Sequence, residues 1–357
     1  MTGVTLPQHI TERLCFSVRH KIMTLREALP RVLLLAGGFA VFCSIAHAAT
    51  WTRQTSGTMS WLRSVYFLDQ NRGWVAGSNG TLLETTDGGV TWKRLLSLTK
   101  DTLHDVYFAD EKNGWLLAER DVFKLRSDAE PRSYLLRTED GGLSWRRMFL
   151  VSETNARLLR LTFADAQRGW VFGETGIIFA TRDGGAHWMR QALPTKHLLL
   201  GSAFNEYARF LLVGAGATII QTLDGGTTWQ KGLLRDAANP RFTAASCAGQ
   251  SLGWAVGLAG SIYTTADGGR TWYGQKSNVD ADLFDVKFVD AAEGWAVGSD
   301  GVLLHTIDAG THWIVVSSGT SHVLQRVFFT DRNHGWAVGF GGTILRYGRS
   351  TSPQLKG

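Results

Sequence analysis

The sequence predicts an all-β protein, a seven-bladed β-propeller closed by the mature N-terminal strand, and three observations carry that expectation. First, Gly73-Trp74, Gly114-Trp115, Gly169-Trp170, Gly253-Trp254, Gly294-Trp295 and Gly335-Trp336 recur with a period of about 41 residues, and Arg209-Phe210 stands where a seventh pair belongs. Second, Asp-Gly-Gly-x-Thr-Trp-like boxes follow at Asp87–Trp92, Asp140–Trp145, Asp183–Trp188, Asp224–Trp229, Asp267–Trp272 and Asp308–Trp313. Third, thirteen of the fourteen tryptophans fall in this pattern when Trp51 is counted, and no repeat holds a 3.6-residue apolar period, so strands are the building unit.

Blade one sets the reading of each copy. Leu62–Phe67 alternates as a first strand, Gly73–Gly77 is a second, and Ser78-Asn79-Gly80 is a turn. Thr81–Thr86 follows as a third strand, Asp87-Gly88-Gly89 as a turn and Thr91–Leu95 as a fourth strand. From the Gly-Trp tryptophan to the box aspartate there are 13 residues in blades one, three, five and six and 14 in blade four; blade two has 25, its surplus falling at Glu119–Arg132. Blade seven has no box, because Arg349 stands where aspartate is expected. Its outer strand is expected from the other end of the chain: Thr50-Trp51 matches Thr271-Trp272, and residues 49–54 would seal the ring without an open edge.

Ahead of that strand lies a targeting segment. Arg26 and Arg31 precede an apolar run of 14 residues, Val32 to Ile45, and Ala46-His47-Ala48 is a small-x-small cleavage site. The run is shorter than the ~20 residues of a spanning helix, so residues 1–48 read as a cleaved leader, with Met23 as an alternative start, and 349–357 as a tail. Cys15 and Cys43 leave with the leader, and Cys247 then has no intramolecular partner. Without the leader 32 Lys/Arg stand against 29 Asp/Glu, too even a balance to favour nucleic acid. The expectation is an exported, monomeric protein of the periplasm, next to a membrane without crossing it.

Each box has a mechanical explanation. Asp87, Asp140, Asp183, Asp224, Asp267 and Asp308 each sit in a tight turn where a carboxylate accepts backbone N–H groups and glycine supplies positive φ. The threonine two residues earlier adds a hydroxyl, and the box tryptophan buries against the same blade. These boxes resemble the Asp-box (BNR) repeats of sialidases and related propellers. The fuller unit, F-x-D/x-x-x-x-G-W-A-V-G-x-x-G (the third position Asp or any residue) with its downstream T-x-D-G-G-x-T-W, clearest at Phe288–Trp313 and next at Phe329–Leu345, resembles the photosystem II stability/assembly factor family of cyanobacteria and chloroplasts. The resemblance spans 49–348. It implies a non-catalytic, exported propeller that binds a membrane-protein precursor, in a thylakoid lumen where the host is phototrophic. For relatives in bacteria without a photosystem it implies an accessory role beside an envelope protein or transporter.

Function is expected at the upper mouth of the central channel, where the inner strand of each blade begins. Positions four and three before the strand-one aromatic vary between copies: Arg63/Ser64, His104/Asp105, Leu159/Arg160, Thr243/Ala244, Phe284/Asp285 and Gln325/Arg326. Upper turns add Asn79, Glu174, Asp300 and Phe340, and the blade-two insertion adds Arg120, Asp121, Lys124, Arg126 and Arg132. The candidate partner-binding rim is therefore Arg63, His104, Asp105, Arg120, Lys124, Arg126, Arg160, Asp285 and Arg326, whose arginines suit carboxylates and aromatic faces of a polypeptide.

The rival reading is a sialidase-like glycoside hydrolase. It needs a carboxylate pair or a base-backed tyrosine, and only Asp105 with Asp285 across the ring offers one. The Phe/Tyr-Arg-Ile/Leu-Pro signature of sialidases is missing, so no catalytic residue is assigned. No His-x-His or His-x₃-His pair occurs after residue 48, and no phosphate-binding glycine loop is present, so neither metal nor cofactor is expected.

Overall fold

The computed structural model describes residues 49–348 apart from 126, 128–129, 149, 151–154, 206–208 and 237; the expected leader, its cleavage site and the tail lie outside the described residues. Seven sheets, antiparallel but for one added strand in blade five, follow one another along the chain. Blade one consists of Leu62–Phe67, Gly73–Gly77, Thr81–Thr85 and Lys93–Arg94, and blades two to six repeat that order. In the last sheet Leu324–Asp331, His334–Gly339 and Ile344–Gly348 are joined by Thr50–Gln54 from the start of the chain. That strand pairs antiparallel from Thr50 opposite Gly348 to Gln54 opposite Ile344. Trp51 sits on this strand with its ring 5.3 Å from Tyr347, 5.5 Å from Trp295 and 5.8 Å from Phe329.

Two departures from the expected blade have local causes. The fourth strand of blade one is two residues, not Thr91–Leu95, because the box holds Thr91 in its turn. Thr91 donates to Asp87 from its backbone N (2.9 Å) and from its hydroxyl (2.5 Å), Thr85 Oγ1 donates to Asp87 Oδ1 (2.8 Å), and Gly89 N donates back to Thr85 Oγ1 (2.8 Å). All six boxes use this plan. In two of them a histidine takes the hydroxyl's role, His187 Nδ1 and His312 Nδ1 each lying 2.7 Å from the box carboxylate. Blade five is five-stranded, since Leu233–Leu234 lies parallel to Thr271–Gln275, and Tyr263 Oη ties the same linker down through Asp236 at 2.8 Å.

The core sits at the joints between blades. In blade one the box tryptophan, Trp92, meets Phe67 edge-on at 6.0 Å, while Phe67 stacks on Trp336 of blade seven at 3.5 Å and 11°. The Gly-Trp tryptophan thus serves the next blade: Trp74 stacks on Phe108 at 3.7 Å and Trp254 on Phe288 at 3.4 Å. Glycine precedes that tryptophan because a Cβ at Gly114 would lie 2.6 Å from the Phe108 ring.

The joint between blades four and five breaks the rule. Cys247 stands where other blades place the strand-one phenylalanine, and Arg209 fills the space at 2 % exposure. Its guanidinium donates to Cys247 Sγ (3.0 Å), Gln250 O (3.2 Å) and Leu252 O (2.7 Å). Phe210 meanwhile stacks on Trp170 of blade three at 4.2 Å. The register corrects the expected pair by one residue: Phe210 lies opposite Phe204 and Thr222 as Gly169 lies opposite Phe163 and Thr181, so Phe210-Leu211 holds the Gly-Trp positions and Arg209 precedes them. At this joint a fork of donors to backbone carbonyls replaces the aromatic stack.

Candidate functional site

Every blade carries a β-bulge at the same place on its first strand. The register shifts between Leu62/Ser64, Leu103/Asp105, Leu158/Arg160, Leu199/Gly201, Phe242/Ala244, Leu283/Asp285 and Leu324/Arg326. A bulged residue leaves the ladder and is re-aimed, often at a functional rim. Here the seven are Arg63, His104, Leu159, Leu200, Thr243, Phe284 and Gln325, and all of them line one cavity of about 430 Å³ at the upper mouth. Arg157, Arg160, Arg241, Arg326, Glu174, Leu198 and Leu258 complete its wall.

The wall mixes two chemistries. Leu159, Leu198, Leu200, Leu258 and Phe284 supply its apolar surface on blades three to six, interrupted by Arg157 and Arg160 of blade three and Arg241 and Thr243 of blade five, while Gln325, Arg326, Arg63 and His104 form a wholly polar arc across blades seven, one and two. Five arginines line the cavity against one lining carboxylate, Glu174. Arg157 is held, with Nη2 2.8 Å from Glu119 Oε2 and Nη1 3.5 Å from Glu174 Oε1. Arg160 and Arg326 share Asp105 Oδ1 at 3.6 and 3.5 Å. Arg63 and Arg241 have no carboxylate partner among the described residues; Arg63 lies over the Trp61 ring at 4.4 Å. Burial lowers the Arg63 pKa and Arg157 adds to that, the opposing pull coming from Glu119. Burial also works against charge on Glu119, but hydrogen bonds from His104 and Arg157 outweigh it and hold its carboxyl at about 2.

Arg63, His104, Arg160 and Arg326 stand at the mouth as expected from sequence. Asp105 and Asp285 require a correction: both are buried, 5 % and 8 % exposed, one tier below the mouth. Asp105 Oδ2 accepts from Leu161 N at 2.9 Å and Asp285 Oδ2 from Val327 N at 3.0 Å, so each carboxylate brackets its blade to the next, as the Ser64 hydroxyl does with Val106 N at 3.3 Å. Burial raises both carboxyls, Asp285 to about 6, with Arg160 pulling the other way. Arg120 and Lys124 are outside the cavity wall, on the insertion, where Arg120 pairs with Glu130 at 2.9 Å and Lys124 with Asp121 at 3.4 Å. Arg126 lies outside the described residues.

Sequence reasoning missed Leu200, Leu198, Arg157 and Arg241. Leu200 was legible, four positions before Phe204, but the blade-four copy is degenerate there. Arg157 and Arg241 directly precede the first residue of their strands, two residues ahead of the pair of positions compared. Among the described residues no group of three His, Cys, Asp or Glu side chains is placed to hold a metal, and no helix is long and apolar enough to cross a membrane.

Comparison with known proteins adds to this geometry. The chain is 32% identical over 139 residues to a photosystem II assembly lipoprotein, Ycf48, of Synechococcus sp. (strain CC9902), covering 38% of this chain and 40% of the relative. The chain thus spans about two fifths of the length of the curated relative it matches. A solved structure described as YCF48 bound to D1 peptide superposes with a TM-score of 0.69 at 21% identity, covering 84% of this chain and 97% of that one. Virginiamycin B lyase from Staphylococcus aureus gives 0.68 at 10% identity, covering 84% and 99%, so the fold alone does not separate binding proteins from enzymes. The family profile described as photosynthesis system II assembly factor YCF48 matches overlapping segments from residue 43 to residue 348, including 43–99, 94–197 and 275–348, and the chain belongs to that family.

Proposed function

We propose that this protein is a non-catalytic assembly factor, exported to a periplasm or thylakoid lumen, that holds a segment of a membrane-protein precursor against its upper mouth. The observation that carries the reading is the ring of seven bulged side chains converging on one cavity, whose wall holds five arginines against one carboxylate together with four leucines and a phenylalanine. An extended polypeptide offers carboxylates and apolar side chains together, and guanidinium forks bind the former while the apolar surface buries the latter. Family membership and the peptide-bound relative support a protein ligand over a small molecule.

The non-enzymatic reading is supported by what the acidic pair already does. A retaining or inverting glycosidase needs two carboxyl groups free to face a sugar. Asp105 and Asp285 each bond the backbone of the following blade, and Asp105 also answers two arginines.

Titration of a fluorescently labelled D1 peptide, read by anisotropy, tests the reading. Arg63→Glu with Arg241→Glu reverses the two arginines that lack carboxylate partners and leaves the Asp105 cluster intact. The expected result is saturable binding whose Kd rises at least ~tenfold in the double variant, as loss of a charge-assisted pair implies. Equal affinity in a variant with unchanged circular dichroism would place recognition elsewhere.

A further inference from the structure

The insertion of blade two is built to hold apolar side chains away from the protein. Its base is fixed: Arg120 N donates to Arg132 O at 2.9 Å, and the Arg120 guanidinium lies 5.7 Å from the Tyr134 ring centroid. Its tip is a 3₁₀ turn, Val122–Lys124, capped by Asp121, whose Oδ1 accepts from Phe123 N at 3.1 Å. Phe123 is 94 % exposed on that turn and Val122 44 %. A second segment meets the base of the insertion, because Tyr134 Oη bonds Thr99 Oγ1 at 2.9 Å and Asp101 Oδ2 at 2.7 Å. That segment presents Leu96 at 88 % and Leu98 at 58 % exposure. In both segments an exposed lysine follows the apolar pair, Lys100 in one and Lys124 in the other.

We propose that this tip docks on a lipid surface, with Phe123, Val122, Leu96 and Leu98 entering the headgroup–acyl boundary and Lys100 and Lys124 meeting anionic headgroups. Exposed apolar groups are normally scattered singly, whereas here two segments that both contact Tyr134 carry four of them. The Asp121 cap fixes the turn from which Phe123 projects. The tip is convex, so a protein partner would have to supply a matching pocket, while a lipid layer deforms around it. Aromatic and aliphatic tips flanked by lysine are the chemistry of interfacial anchoring, and the lysines give the charge complementarity. Asp121 tempers it, since its carboxylate shares Lys124 at 3.4 Å. The base reaches the mouth through Glu119, which meets Arg132 at 3.7 Å and Arg157 Nη2 at 2.8 Å, so docking here would set the mouth beside the membrane.

The test uses the full chain with vesicles of phosphatidylcholine and phosphatidylglycerol in equal parts, and with pure phosphatidylcholine. Co-sedimentation gives the partition coefficient, and hydrogen exchange reads residues 96–101 and 119–125 locally, apart from any contribution of the N-terminal apolar run. Phe123→Ser is expected to lower partition about tenfold. Lys100→Glu with Lys124→Glu should weaken binding to the anionic vesicles and leave the neutral ones unchanged, and both segments of the wild type should gain protection. Unchanged partition in Phe123→Ser, or no protection of these segments, overturns the proposal. So does a Phe123→Ser variant that loses labelled D1 peptide while binding vesicles normally, which would make the tip a protein contact.

Discussion

The stack between blades one and two predicts a non-additive pair of substitutions. Phe108 is fully buried, lies 3.7 Å from the Trp74 ring, and meets Trp145 edge-on at 6.1 Å. Phe108→Ala removes a ring that blades one and two share, and large-to-small changes of this kind cost about 3–5 kcal/mol. Gly114 faces the same ring: its added Cβ would stand 2.6 Å from Phe108 Cδ1 and Cε1, while its backbone lies outside the positive-φ region. Gly114→Ala should therefore cost about 1–3 kcal/mol by overpacking alone. In the Phe108→Ala background the clash has no partner and the new methyl enters the vacated space. The double variant should then be no less stable than Phe108→Ala, a coupling of about 1–3 kcal/mol. Equilibrium unfolding in guanidinium, followed by tryptophan fluorescence and far-UV circular dichroism with coincident transitions, measures all four corners. Additivity within about 0.5 kcal/mol would refute the claim that glycine precedes the tryptophan because of the neighbouring ring.

Acid should act in two stages of opposite sign. Burial raises Asp285 to about 6, so the folded state takes up this proton before the unfolded chain does, and stability gains as pH falls from about 6 toward 4. The groups facing Asp285 are Arg160, Lys287 and the Val327 N–H, and Asp285→Asn should flatten that limb alone. Below pH ~4 the sign reverses. The Ser144 hydroxyl and backbone hold Asp140 at about 2, and backbone and side-chain bonds from Thr228 and His312 do the same for Asp224 and Asp308, so stability is lost as pH falls toward 2. Guanidinium midpoints that rise steadily with acid down to pH 2 would contradict this. Trp51→Ala, which removes a ring touching Trp295, Phe329 and Tyr347, should lower stability by about 2–4 kcal/mol and open the last blade to proteolysis; an unchanged midpoint would mean the N-terminal strand contributes nothing to the ring.

The repeat made the blades legible, and the reason is geometric. Each Gly-Trp pair serves a stack on the next blade and each box aspartate serves one turn, so both recur at fixed spacing. The box also hid something, because it claims Thr91 and shortens the outer strand to Lys93–Arg94. At the mouth, Arg63, His104, Arg160 and Arg326 were readable from variation between copies, whereas the depth of Asp105 and Asp285 was not. A bulge turns residue 104 upward and leaves residue 105 facing inward, a difference that alternation alone does not reveal. The parallel strand Leu233–Leu234 was hidden for another reason: it depends on Asp236 reaching Tyr263 from a linker without repeat character.

The same bulge explains why recognition would settle at this end of the ring. A residue within the ladder answers to a cross-strand partner and a core neighbour, and its identity is constrained by both. The bulged residue stands outside the regular register, so Arg, His, Leu, Thr, Phe and Gln can occupy equivalent sites in one molecule without disturbing seven otherwise uniform strands. The lower end has no such freedom in its turns, since each box there commits its carboxylate, its threonine and its glycines to closing one loop. Variation is therefore tolerated where the side chains converge, and seven side chains of six kinds meet at one cavity, which is why the proposal puts recognition there.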